Sequence, residues 1–166
     1  LVLQVQVQDA FVSEAQQVAE RLRDEMTKAG IAFTTIENTE PKTIDTADQV
    51  RVTVKGVPPE KAGQLRQIAT DRFANWNLNT VSSSEYNLSM KPTDALELRR
   101  NTVARAISTI ETRINGLGLA ESAVQPRGRQ DAEGEILVQL PGVDDPARIK
   151  QILQTAAVLE LYEVKD

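Results

Sequence analysis

The chain opens on Leu-Val-Leu-Gln-Val-Gln-Val-Gln, an alternation that sets Leu3, Val5 and Val7 on one face of a half-buried strand over Leu1 to Gln8. The period then changes. Ser13 stands three residues before Gln16 in a capping-box pattern, and Ala15, Val18, Ala19, Leu22, Met26 and Ala29 recur at helical spacing. Gly30 occupies the position where a helix commonly ends on a glycine. Ile31 to Glu37 and Gln49 to Lys55 read as strands joined by a polar loop through Pro41. Pro58-Pro59-Glu60 starts a second helix with Ala62, Leu65, Ile68 and Ala69 inward, ending near Phe73. A weaker strand follows from Leu78 to Val81.

The same order of elements then recurs. Tyr86 to Met90 is a strand. Thr93 or Asp94 caps a long helix whose inner face is Leu96, Val103, Ile107, Ile110, Ile114 and Leu117, with Gly118 as its stop. Strands are predicted from Ser122 to Arg127 and from Glu135 to Leu140. Asp144-Asp145 before Pro146 starts a further helix with Ile149, Ile152, Leu153 and Ala156 inward, and Val158 to Val164 is the last strand. The pattern predicts an α+β protein of two tandem ferredoxin-like βαββαβ units with antiparallel sheets. Its boundary is expected in the serine tract at 82–84, giving units 1–83 and 84–166. The repeat is one of element order, without residue-level similarity.

Composition narrows the chemistry. The chain has 166 residues, 40% hydrophobic and 26% charged, as in globular domains. A net charge of −5 argues against nucleic acid, whose phosphates need clustered Lys and Arg. With no cysteine and no histidine, thiolate nucleophiles, the usual zinc ligands, disulfides and the commonest general base are all excluded. No apolar run approaches the roughly 20 residues that span a bilayer, and no signal peptide is visible. Opening in mid-strand suggests a piece of something longer.

Candidate sites each have a plain alternative. Arg99, Arg100, Arg105 and Arg113, interleaved with Glu97 and Glu111, read as a solvated helix face rather than an anion patch. Arg127-Gly128-Arg129 is neutralised by Asp131 and Glu133, and no glycine-rich loop with a lysine opens a helix. Asp144 and Asp145 read as an acidic helix cap. Gly116, Gly118 and Gly142 serve a helix stop and a turn, with Pro141-Gly142 ending its strand. Asn115 and Glu121, flanking the helix stop, read as structural ties. Trp76, alone among Asn75, Asn77 and Asn79, fits a core edge or a contact patch equally well. No nucleophile stands with a base and an orienting group, so an enzyme is not expected and no cofactor or metal is assigned.

Three segments in the second half resemble SecD, the accessory subunit of the bacterial protein-export machinery. Arg113-Ile-Asn115-Gly-Leu-Gly118-Leu-Ala-Glu121 is similar to the family's Arg-Val-Asn-x-Leu-Gly-Val-x-Glu. Val138-Gln-Leu140-Pro141-Gly142-Val-Asp-Asp145-Pro146 is similar to its Val-x-Leu-Pro-Gly-Val-x-Asp-Pro, and Thr155-Ala-Ala-Val-Leu159-Glu160 to its Thr-Ala-x-Leu-Glu-Phe. Ser122 replaces a usual proline, and Leu161 stands in place of the aromatic. The resemblance implies the base of the first extracytoplasmic domain, on the periplasmic side of the inner membrane. It implies SecF and SecYEG as partners, preprotein engaged through a separate head domain, proton conduction in transmembrane helices, and no catalytic residue here. The isolated region is expected to be a monomer.

Two other classes share the topology. An amino-acid sensor of the ACT type would need a glycine-rich loop between first strand and first helix, and an acylphosphatase an arginine-bearing one. Gln8-Asp9-Ala10-Phe11 offers neither.

Overall fold

The computed structural model describes residues 2–116, 123–127, 135–139 and 161–163. In chain order these form β1 (Val2–Val5), α1 (Val7–Ala29), β2 (Thr35–Asn38), β3 (Arg51–Lys55), α2 (Ala62–Arg72), β4 (Trp76–Thr80), β5 (Tyr86–Met90), α3 (Pro92–Gly116), β6 (Ala123–Arg127), β7 (Glu135–Gln139) and β8 (Leu161–Glu163). Short 3₁₀ turns at Ile44–Gln49 and Pro59–Lys61 precede β3 and α2. The class is α+β, and the described strands form two four-stranded antiparallel sheets.

One sheet has the order β2-β3-β5-β4 and the other β6-β7-β1-β8. The chain accordingly divides into one unit of Gln8–Ala95 and another built from Leu1–Val7 with Leu96–Asp166. This departs from tandem halves. The opening strand pairs with β7 (Leu3 opposite Ile136) and β8 (Leu3 opposite Glu163), while β5 pairs with β3 and β4. The serine tract is correspondingly a hairpin loop. Val81 and Ser82 both donate their N–H groups to Glu85 O, and Ser82 Oγ accepts from Glu85 N at 3.1 Å.

The first helix also begins earlier than its capping-box pattern suggests. It starts at Val7, so β1 ends at Val5 and Ser13 is an exposed residue inside the helix. Val7 satisfies two periods at once. It continues the alternation of Leu3 and Val5, and it also opens the buried series Val7, Phe11, Ala15, Val18, Leu22 and Met26, spaced by three or four residues. The longer series prevails because a helix buries all six. Gross burial of a side chain such as Phe11, Leu22 or Met26 stabilises by about 1.5–3 kcal/mol.

The helix ends as its sequence indicates. Gly30 has φ +71°, its N–H donates to Thr27 O at 3.2 Å, and Ile31 N–H reaches Met26 O at 2.9 Å. This is the Schellman pattern, with Met26 and Ile31 both buried. A Cβ at Gly30 would meet nothing within 4 Å, so only backbone conformation opposes a side chain there. Gly30→Ala is therefore expected to cost about 1–2 kcal/mol in urea unfolding.

Each sheet buries one face. In the Gln8–Ala95 unit, Ile36, Val52, Val54, Leu88, Met90 and Trp76 are buried, while the alternate positions are polar. On that polar face Asn79 Nδ2 donates to Asn87 Oδ1 and Ser89 Oγ, both at 2.9 Å. In the other unit Leu3, Val5, Ile136 and Val138 are buried, as are Val103, Ala106, Ile110 and Ile114 of α3. Pro126 sits in β6, an edge strand, where a missing N–H costs the ladder least.

Candidate functional site

The family-like motif begins on the last turn of α3. Ile114 is fully buried, Arg113 half-buried and Asn115 exposed, as the helical spacing of one inward residue among outward neighbours requires. Gly118, Glu121, Leu140, Pro141, Gly142, Asp145, Pro146, Thr155, Leu159 and Glu160 lie outside the described residues, as do the acidic cap at Asp144 and the Arg129 end of the basic loop. Of the motif segments the structure describes only the end of α3, with Arg113 and Asn115, and the end of β7, with Val138 and Gln139, and β7 pairs with β6 from Ala123 opposite Gln139 to Arg127 opposite Glu135.

One charged residue of α3 differs from its expected setting. Arg100, Arg105, Glu97 and Glu111 are exposed, but Arg99 is 9% exposed and counts with the core. The cause is its register. Ala95, Arg99, Thr102, Val103, Ala106, Ile110 and Ile114 form one stripe at helical spacing, and an apolar-only pattern skips the two polar members. Position four before Val103 and four after Ala95 was the available signal. Thr102 satisfies itself within the helix, its Oγ1 donating to Leu98 O at 2.7 Å.

Trp76 is 6% exposed on β4, which decides for the core. Its N–H donates to Phe73 O at 3.0 Å, and Phe73 in turn caps α2 by donating to Ala69 O. Arg21 lies over the Phe73 ring, 5.6 Å from its centroid, and Arg72 approaches Glu25 at 3.8 Å. Such exposed ion pairs contribute little. One wall of Trp76 opens on a cavity of about 530 Å³ between α2 and β4, with Arg66, Thr70, Leu78 and Lys91 around it. Sequence alone did not show it, because it depends on β4 lying at a sheet edge.

Among the described residues, no three Asp or Glu side chains gather where they could hold a metal ion. No helix there is long and apolar enough to cross a membrane. A single residue, Gln6, joins β1 to α1, so the loop that an ACT-type or acylphosphatase-type ligand site would use has no length.

Comparison with known proteins supplies the decisive observation. The family described as "Protein translocase subunit SecDF, P1 domain, N-terminal" matches residues 103–166. The Protein translocase subunit SecD of Koribacter versatilis is 35% identical over 164 residues, covering 99% of this chain and 30% of that protein. The chain matches SecD, as a piece of its P1 region. The Protein translocase subunit SecD of Syntrophobacter fumaroxidans is 28% identical over 169 residues, covering 100% of this chain and 30% of its own length. For Escherichia coli SecD the values are 28% over 160 residues, 95% and 24%. The chain thus spans about a third or less of the curated relatives it matches. The first half, which carries none of the quoted SecD motifs, is included in all three alignments, so the Gln8–Ala95 unit belongs to the SecD pattern as much as the motif-bearing unit.

Proposed function

We propose that this chain is an extracytoplasmic scaffold of a SecD subunit in the Sec translocase, acting with SecF and the SecYEG channel to complete preprotein export under the proton-motive force. The observation that carries this is the 35% identity with a SecD protein over 164 residues, which runs through both units. The residues agree with a mechanical role. The sequence has no histidine to act as a general base and no cysteine to act as a thiolate nucleophile. Proton transfer then belongs to transmembrane parts of the protein, preprotein contact to a head domain, and this region holds that head at the periplasmic face of the inner membrane. The motif residues Arg113, Asn115, Gly118, Glu121, Leu140, Pro141, Gly142, Asp145, Pro146, Thr155, Leu159 and Glu160 act as structural elements of the motif-bearing unit.

Transplanting residues 1–166 into the matching stretch of Escherichia coli SecD tests it. The chimaera is expected to restore export of a secreted reporter in cells lacking their own SecD. A chimaera that reaches the membrane at normal levels yet gives no restoration contradicts the proposal.

A further inference from the structure

The Gln8–Ala95 sheet has an open edge with an unusual character. Lys91 N–H donates to Asn75 O and Val81 N–H to Glu85 O, both at 2.9 Å, at the two ends of the β4–β5 ladder. With Asn77 opposite Ser89 and Asn79 opposite Asn87, the hydrogen-bonded rungs fall on odd-numbered residues of β4. The peptide groups of Trp76, Leu78 and Thr80 therefore point away from β5. Among the described residues no strand pairs on that side. The Trp76 backbone N–H is taken by Phe73 O, which leaves the N–H groups of Leu78 and Thr80 and the carbonyls of Trp76 and Leu78 facing outward.

Exposed edges are ordinarily guarded by charge, proline or a bulge. Among the described residues the other edge strands follow that rule in sequence, with Glu37 in β2, Pro126 in β6 and Glu163 in β8. β4 reads Trp-Asn-Leu-Asn-Thr, with neither charge nor proline. Alongside this edge runs the cavity of about 530 Å³, floored by Trp76 and Leu78 and walled by α2. Among the described residues, its only charged lining side chains are Arg66 and Lys91, in a chain of net charge −5. Neither is ion-paired among the described residues, and Arg66 Nη2 donates to Thr80 Oγ1 at 3.0 Å, which holds the guanidinium beside the open rungs.

We propose that the β4 edge and the groove beside α2 bind a short extended segment of a partner protein that carries a carboxylate. The segment adds a strand to β4, one side chain enters the groove over Trp76 and Leu78, and its carboxylate meets Arg66 and Lys91. Main-chain hydrogen bonds supply affinity in such strand addition, and alternate side chains supply selectivity. Charge complementarity selects the occupant: two cations and no carboxylate disfavour a basic or neutral segment. The site stands independently of the export role, since it rests on the ladder register and lining residues alone.

The test is fluorescence anisotropy of labelled octapeptides with alternating Val and Thr, titrated into the 166-residue chain. A peptide with one central Asp is expected to bind about tenfold or more tightly than its Asn or Lys counterparts, a factor typical of charge-assisted pairing. Arg66→Glu and Lys91→Glu should each abolish that preference, with Trp76 emission confirming the fold. Methylating peptide nitrogens one at a time should weaken binding at alternate residues only, the signature of a ladder. Equal binding of the three peptides, no measurable binding, or insensitivity to methylation overturns the proposal. Self-association that Arg66→Glu leaves unchanged, and that excludes peptide, assigns the edge to a second copy and also overturns it.

Discussion

Gly56→Ala is expected to destabilise the Gln8–Ala95 unit by about 2–5 kcal/mol, a large part of the 5–15 kcal/mol that stabilises an ordinary domain. Two costs combine. Gly56 follows β3 with φ +79°, where a Cβ costs roughly 1–2 kcal/mol. That Cβ would also lie 2.7 Å from the Thr34 backbone nitrogen, and Thr34 N–H is tied to Lys55 O at 2.7 Å, so the obstructing atom is held in place. Forced overpacking of this kind costs about 1–3 kcal/mol. Gly30→Ala shares the first cost but not the second, so it serves as the control. Trp76 is the only tryptophan and is buried in this unit, so its emission in urea reports the transition directly. Equal losses for the two variants would remove the close approach of Thr34 as the cause.

Leu3→Ala is expected to cost about 2–5 kcal/mol, and the damage should appear far along the chain. Leu3 is fully buried on β1, the strand that lies between β7 and β8. Hydrogen exchange should accelerate at the β7 amides around Ile136 and Leu137 and at the β8 amides opposite Leu3. If β1 instead completed a sheet with residues 31–83, as a tandem arrangement requires, the acceleration would fall on β3. The two arrangements are thus separable by one variant and one exchange profile.

That ambiguity explains what the sequence left open. Local chemistry was readable wherever a single residue determines it. The glycine stop at Gly30, the Pro58-Pro59 entry to α2 and the limits of β5 all depend on near neighbours, and the structure places them as read. Strand pairing depends on partners more than a hundred residues away, as with Leu3 and Ile136. Because β1 and β5 are interchangeable in the order of elements, tandem and exchanged sheets produce the same one-dimensional pattern. The start of α1 was obscured by Val7, which fits both a strand and a helix period. Arg99 reads as solvent-facing in the sequence because long cationic side chains are rarely buried, although its place on the stripe of α3 is visible in the spacing. The α2–β4 groove had no sequence signal, since it exists only once β4 is an edge.

A scaffold in a translocase transmits force or position, so breaking its fold should remove the function without any chemistry being touched. The direct measurement uses membrane vesicles holding the full-length protein with SecF and SecYEG, and follows how much preprotein completes transport with and without a proton-motive force. Assayed at a temperature where its Gln8–Ala95 unit is unfolded and that of Gly30→Ala is not, the Gly56→Ala protein, inserted at normal levels, is expected to lose the increment due to the proton-motive force while the Gly30→Ala protein retains most of it. An undiminished increment in a Gly56→Ala protein whose Gln8–Ala95 unit is shown to be unfolded would contradict the scaffold account.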